Sequence, residues 1–585
     1  VEEYRLLYLA LTIKGVVSVF NGVKIKEYMS FDPREMIEDR SHLLGEGHIG
    51  GKAKGLLFAK KVLENLEEIP PWPVYIPPSR FVTTEVFDEF IKLNALEEVI
   101  EKGDWEEIRE AFTRGSLPEF VVEDLRRWVC EMDYPLAVRS SSLLEDSLKY
   151  SFAGKYLTLF VSNRGSVDDR VRELTSAIKK VYASTYGPPA QEYRRKRSLT
   201  GEKMGVIIQQ LIGRVRGKEF YPEIAGVGFS RNYRRWTERI RIEDGVVRIV
   251  FGLGTRCTGR NYARIFSLTN LALRPEGNNA YEIMRYSQES FDLLDLETGE
   301  FRSYNINNRK DLIRYHSNFD KLASLFSFDS EIIVPFSHYN DGKIIFTFND
   351  FPRAYPNFFR LIGFLFRLFE REMGVPVDIE FASEPQENFF ALVQLRPLSS
   401  YESYRPVAVP KDISDERIIL KGNRMLTNGV LKNIRYIVYV DPWEYMRKFD
   451  PYSLAREIGR VNKALAGEKF ILVGPGRWGS TNPVQGVPVE YSEISNCGVI
   501  VEVGILEKGL APELSYGTHF FADLDVDGIL YLPVFLGVDG NVFNKSWFES
   551  HEYESGKHPA LRVYKGRFSV YLDGHKVIGI IVDDS

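Results

Sequence analysis

Two short segments constrain this chain more than any others. Val377-Asp378-Ile379-Glu380-Phe381-Ala382 and Leu392-Val393-Gln394-Leu395-Arg396-Pro397 both alternate apolar and polar residues. A period of two is the signature of a strand with one buried face. Asp378 and Glu380 therefore share one face, and Gln394 and Arg396 share another. The short polar stretch between the segments predicts neighbouring strands, on which the four side chains meet. Carboxylate and amide oxygens facing a cation suit Mg²⁺ bridging phosphates, and an Arg beside them suits phosphoryl transfer. An ordinary half-exposed hairpin with a cross-strand Glu–Arg pair satisfies the same pattern.

Two other segments carry charge on a glycine-rich or strand-end frame. Gly50-Gly51-Lys52-Ala53-Lys54-Gly55 opens a run in which Leu56, Leu57, Ala59, Val62, Leu63 and Leu66 recur at helical spacing. Glycines ahead of a helix let backbone N–H groups approach an anion, and a lysine there pairs with phosphate. A Gly-rich turn with a solvated lysine is the alternative. The segment is not a Walker A loop, because Ala53 stands where Ser or Thr is required and Glu46 replaces the first Gly. Arg139 closes the apolar run Leu136-Ala137-Val138 and points a guanidinium fork at a loop of Ser140-Ser141-Ser142, Glu145-Asp146 and Ser151-Phe152-Ala153-Gly154. It suits phosphate oxygens, or a salt bridge to Glu145 or Asp146.

Composition narrows the class. Of the 585 residues, 76 are Lys or Arg and 81 Asp or Glu, for a net charge of −5. That balance argues against a basic nucleic-acid coat. Cys130, Cys257 and Cys497 lie far apart with no CxxC, so neither a disulfide framework nor a thiolate zinc site is expected, and a reducing cytoplasmic setting fits. No apolar run reaches the roughly 18 residues of a membrane span. Leu6 to Phe20 carries Lys14 and follows Glu2, Glu3 and Arg5, so it reads as a packed element, not a signal peptide. The chain starts at Val1 rather than Met, which leaves room for a preceding segment.

The helix opened by Gly50 should end before Pro70-Pro71-Trp72-Pro73. A helix is expected at Glu85 to Leu93, strand–loop–strand over 136–162, helix over 166–197 and a buried strand over 204–212. Short strands should fill 225–330. Leu361 to Met373 predicts an amphipathic helix stopped by Gly374. Beyond a proline-containing stretch at Tyr401 to Glu416, helices near 442–465 and strands near 470–474, 498–504 and 529–536 predict a second α/β unit.

Seven blocks in order now carry a resemblance: GGKAKGL, AVRSSSLLEDSLKYSFAGKY, VYASTYGPPAQEYRRKRS, MGVIIQQLIG, AGVGFSRN, FGLGTRCTGR and VDIEFA…LVQLRP. Together they resemble the nucleotide-binding domain of phosphoenolpyruvate synthase and pyruvate phosphate dikinase, over about residues 45–400. The resemblance implies a two-lobed ATP-grasp-like domain at 41–400; with the patterns on either side, the chain reads as an α/β (α+β) fold with a lead-in at 1–40, a linker at 401–416 and a separate α/β domain at 417–585. The resemblance also implies ATP and Mg²⁺ as cofactors. Lys52 and Arg139 match the residues that hold the ATP phosphates, and Ser151 to Gly154 match the phosphate-covering loop. Gln209, Leu211 and Ile212 match the segment beside adenine. Glu380 and Gln394 match the metal-binding pair, and Arg396 the phosphate-binding Arg. The basic run Arg194 to Arg197 falls inside a family-like block, so nucleic acid is not an expected partner, nor is a membrane.

Departures from the family are as informative. None of the eight histidines stands in the T-x-H or S/C-H-A context of the family's phosphate-accepting His. About 185 residues follow position 400, short of the roughly 250 of a phosphoenolpyruvate-binding barrel. Thr255-Arg256 stand where the family commonly places an acidic residue after GLG.

The C-terminal unit offers two candidates of its own. Gly474-Pro475-Gly476-Arg477-Trp478-Gly479-Ser480-Thr481 follows the apolar run Phe470 to Val473, as an anion-binding loop or a tight turn packed by Trp478. Ser515-Tyr516-Gly517-Thr518-His519 places a histidine after Gly and Thr, as a phosphoacceptor, an acid–base group, or a structural His. Asp523-Leu524-Asp525-Val526-Asp527-Gly528 imitates an EF-hand start, but Val534 stands at the twelfth position, and a turn is expected.

The sequence reading is thus an ATP- and Mg²⁺-dependent phosphotransferase of kinase or dikinase type. Its acceptor is His519, a partner's His, or a small molecule at the Arg477 loop. The catalytic candidates are His519, Arg396 and Arg477. A non-catalytic ATP sensor and the nucleotide-binding subunit of a split dikinase are the alternatives, and self-association is left open.

Overall fold

The computed structural model describes residues 24–145, 156–196, 201–232, 239–257, 263–275, 279–337, 341–398, 407–410, 412–424, 426–447, 450–479, 486–505, 524, 528–574 and 576–585. Its contacts divide the chain into two units. The first takes the described residues through Arg231, Glu243–Leu273 and 279–398, and the second takes the rest. The fold is mixed α/β, with several sheets.

In the first unit, helix α1 (Gly50–Glu64) begins with the glycine pair and ends before the proline cluster. A five-stranded sheet holds β1 (Ser79–Val82), β2 (Leu136–Ser142) and β3 (Met204–Gln210), with β3 antiparallel to both of the others. A six-stranded sheet has the hairpin β4 (Val377–Glu384) and β5 (Phe389–Pro397) near its middle. Helix α2 (Pro356–Met373) buries Phe358, Leu361, Ile362, Leu365, Phe366 and Phe369 on one stripe. It starts a turn earlier than its apolar spacing indicates, because Pro356 suits the first helical position. Gly374, at φ 74°, ends it as expected.

Two glycines let α1 lie against both sheets. A Cβ on Gly50 would sit 1.6 Å from the Ser141 carbonyl oxygen of β2, and one on Gly55 would sit 1.9 Å from the Leu395 carbonyl oxygen of β5. Any larger residue would lift the helix off its strands.

The second unit is built on one nine-stranded sheet. Strand β6 (Gly429–Val440) crosses through helix α3 (Pro451–Ala464) to β7 (Phe470–Pro475), then β8 (Cys497–Ile505) and β9 (Leu530–Leu536) follow as parallel neighbours. On its other side β6 pairs antiparallel with β10 (Leu561–Asp573). The sheet curls toward a barrel: Gly422, near one end, comes within 2.3 Å of the Pro533 carbonyl oxygen of β9 when a Cβ is built on it. Among the described residues no helix is long and apolar enough to cross a membrane.

Candidate functional site

The four polar residues of the β4–β5 hairpin meet as their alternation requires. Asp378 lies opposite Arg396, and Glu380 opposite Gln394. The cross-strand ion pair is Asp378 with Arg396, whose Nε donates to Oδ1 at 2.5 Å. The expected Glu–Arg pair across the hairpin is therefore corrected to Asp–Arg. Register explains it, since the antiparallel pairing sets Glu380 against Gln394.

Glu380 instead meets Arg139, which enters from β2 of the other sheet. Arg139 Nη2 donates to Glu380 Oε2 at 2.5 Å and to Gln394 Oε1 at 2.6 Å. Arg139 Nη1 donates to the Val393 carbonyl at 2.9 Å and to Gln209 Oε1 at 3.2 Å. One guanidinium thus ties β2, β3 and β5 to the Glu380 carboxylate. Among the described residues Arg139 pairs with Glu380 and Glu145 pairs with Lys52, in place of an Arg139–Glu145 bridge; Asp146 lies outside the described residues.

Lys52 is buried rather than solvated. Its Nζ lies 2.6 Å from Glu145 Oε1 and donates to Ser140 Oγ at 2.9 Å. Ser141 supports the same helix start: its hydroxyl donates to the Ile49 carbonyl and accepts the Ala53 N–H. Part of the α1 N-terminus is therefore capped by a side chain of β2.

Three cations and three carboxylates form this cluster: Lys52 with Glu145, Arg139 with Glu380, and Arg396 with Asp378. Burial alone would raise the Glu380 carboxyl. The charges of Arg139, Arg396 and Lys52 outweigh it and hold Glu380 below the ordinary carboxylate range. Glu380 keeps 31% of its side chain exposed, so it is the reachable acid of the cluster.

The donor set fits a divalent cation shared with phosphate. Glu380 and Gln394 offer two hard oxygens already close enough to bind one guanidinium nitrogen. Mg²⁺ is commonly held by one or two protein oxygens together with substrate phosphates. Among the described residues no cluster of three or more His, Cys, Asp or Glu forms a self-sufficient metal cage; Asp523, Asp525 and Asp527 of the EF-hand-like stretch lie outside the described residues.

Gln209 spends its carbonyl on Arg139 and its amide on Ser79 Oγ at 3.4 Å. Leu211 and Ile212 follow β3, both buried. Ile212 packs among small side chains, Ala225, Ala382 and Ala391 of the six-stranded sheet and Cys257 of the turn beside it. Thr255 and Arg256 both grip the buried Asp292, through Thr255 Oγ1 at 2.6 Å and Arg256 Nε at 2.8 Å. The Gly252–Cys257 turn is thereby pinned from below.

Sequence reasoning gave Asp378, Ser140 and Glu145 no individual role in the site. Asp378 was visible in the strand alternation. Glu145 sits in the serine-rich segment after Arg139 and was visible only as a partner for that arginine. Ser151, Gly154 and His519 lie outside the described residues.

In the second unit, Arg477 and Trp478 are buried in the turn that leaves β7. The Trp478 backbone N–H donates to Glu502 Oε1 at 2.9 Å, and the Tyr531 hydroxyl donates to Glu502 Oε2 at 2.5 Å. The Trp478 indole covers Gly474, where a Cβ would be 2.5 Å from the ring. Trp478 thus packs into the turn; Ser480 and Thr481 of the same motif lie outside the described residues.

A segment of 159 residues is 27% identical to the prodigiosin synthesizing transferase PigC of Serratia marcescens, covering 27% of this chain and 16% of that protein. The match thus spans about a sixth of that relative's length. Residues 46–417 match the family described as pyruvate phosphate dikinase, AMP/ATP-binding domain. That span holds every residue of the charged cluster and covers more than half of the chain, which belongs to this family.

Proposed function

We propose that this chain is an ATP-dependent phosphotransferase of the dikinase type, with residues 41–400 as a two-lobed ATP-grasp-like domain. The observation that carries the reading is the reach of Arg139 from one sheet to Glu380 and Gln394 on the other. It gathers the cations and oxygens that phosphoryl transfer requires, since that chemistry rests on positioning and charge neutralisation.

In this reading Lys52, Arg139 and Arg396 bind the ATP phosphates, and the Ser151 to Gly154 loop covers them. Gln209, Leu211 and Ile212 lie beside the base, with the Ala225, Ala382 and Ala391 face as an apolar bed. Glu380 and Gln394 hold Mg²⁺, which supplies charge neutralisation when bound. The acceptor is His519, a histidine of a partner, or a small molecule at the Arg477 loop. PigC is named a transferase, which supports transfer to an acceptor over simple hydrolysis.

Intact-mass measurement after incubation with Mg²⁺ and ATP tests the acceptor. A phosphate adduct on the wild type that is missing in His519→Ala supports His519. ATP turnover without an adduct, surviving in His519→Ala, moves the acceptor to a small molecule or a partner. Binding of ATP without any turnover would overturn the transferase reading in favour of a sensor.

A further inference from the structure

Lys52 is held more precisely than a phosphate-binding lysine on a surface turn would be. It has four rotatable bonds, and fixing them costs entropy at the moment of binding unless the fold has already done so. Here the ammonium is clamped between Glu145 Oε1 at 2.6 Å and Ser140 Oγ at 2.9 Å. An ammonium has three N–H donors. Among the described residues these two partners leave one donor, on a side chain that keeps 11% of its surface exposed.

Glu145 is itself anchored. It is 1% exposed, its backbone N–H donates to Ser142 Oγ at 3.2 Å, and its Oε2 accepts the Ser142 N–H at 3.3 Å. The carboxylate is therefore locked to the end of β2, while Lys52 arrives from α1. Ser140 stands between them, with its hydroxyl 3.4 Å from Glu145 Oε1. The other charged groups of the cluster are Glu380, Arg139, Arg396 and Asp378, and each carboxylate among them has its own arginine.

We propose that Glu145 is a positioning residue: it and Ser140 aim the Lys52 ammonium so that its remaining N–H meets a phosphate oxygen of ATP. The inference rests on the nucleotide reading of this cluster. The role is electrostatic and local, because Glu145 would reach the phosphate through Lys52.

The test is equilibrium binding of Mg²⁺·ATP and of adenosine to the full chain, in wild type, Glu145→Gln, Glu145→Asp, Lys52→Met and the Glu145→Gln/Lys52→Met double variant. Glu145→Gln should weaken ATP about tenfold, the scale of one charge-assisted hydrogen bond, and leave adenosine unchanged. Glu145→Asp should recover part of the loss. Adding Glu145→Gln to Lys52→Met should change nothing further. Unchanged or tighter ATP binding in Glu145→Gln, equal losses for ATP and adenosine, or a loss that persists in the Lys52→Met background would overturn the proposal. Absence of ATP binding in the wild type would instead overturn the nucleotide reading beneath it.

Discussion

Arg139 and Glu380 are 241 positions apart in sequence and 2.5 Å apart in the fold. The pair joins the five-stranded sheet to the six-stranded sheet through one salt bridge. It also makes Glu380 an acid that stays charged in a partly covered place, since neighbouring cations outweigh its burial.

Removing this acid should affect function and leave most of the fold intact. Glu380→Gln keeps a similar shape and an acceptor for Arg139 but loses the charge. ATP turnover should fall by about 100-fold or more, as when a principal charge stabiliser is deleted. Steady-state kinetics check this, with circular dichroism to show that the fold remains.

Acid stability follows from the same pair. The folded value of Glu380 is lowered from its ordinary 4.5. Its contribution is present above that value and is lost as pH falls through the still lower folded value. His316 acts at higher pH. Burial lowers it from 6.5, with Glu223 opposing and Arg216 assisting. The unfolded chain then takes up the proton first, so stability is present above about pH 6.5 and is lost as pH falls below it. His42 shifts in the same direction. Melting temperature should decline from pH 7 to 5, and His316→Gln should flatten part of that decline.

Gly55→Ala should be costly for so small a change. The added methyl meets the Leu395 carbonyl oxygen at 1.9 Å, so α1 must shift from β5. We expect a loss of about 1–3 kcal/mol, the usual range for overpacking. ATP affinity should fall with it, because Lys52 rides on the same helix. Denaturant unfolding and ATP titration check the two effects.

Tyr531→Phe isolates the C-terminal turn. Glu502 would keep the Trp478 backbone N–H and lose the Tyr531 hydroxyl. Leaving a buried carboxylate short of a donor costs about 1–3 kcal/mol. The loss should appear in denaturant unfolding, with a change in Trp478 fluorescence, and ATP binding should be spared.

Much of the site was legible because strand alternation is local. A period of two put Asp378, Glu380, Gln394 and Arg396 on facing sides of one hairpin, and the register agrees. What spacing did not reveal was the exchange of partners. Arg139 reaches Glu380 and not Glu145, because a contact across 241 residues has no local signal. The helix α1 was visible in its leucines, but the reason for Gly50 and Gly55 lies in carbonyls of β2 and β5. In the C-terminal unit the apolar runs at 470–474, 498–504 and 529–536 marked the parallel strands. The partners β6 and β10 mix polar and apolar residues with bulges in their pairing, which blurs the alternation.

The most direct measurement of the central claim is the fate of ATP labelled separately in its β- and γ-phosphates, with Mg²⁺, in wild type and Glu380→Ala. The account predicts AMP release with the β-label passed to an acceptor in the wild type, and no AMP in the variant. Intact ATP, ADP as the sole nucleotide product, or AMP formed equally by Glu380→Ala would contradict it.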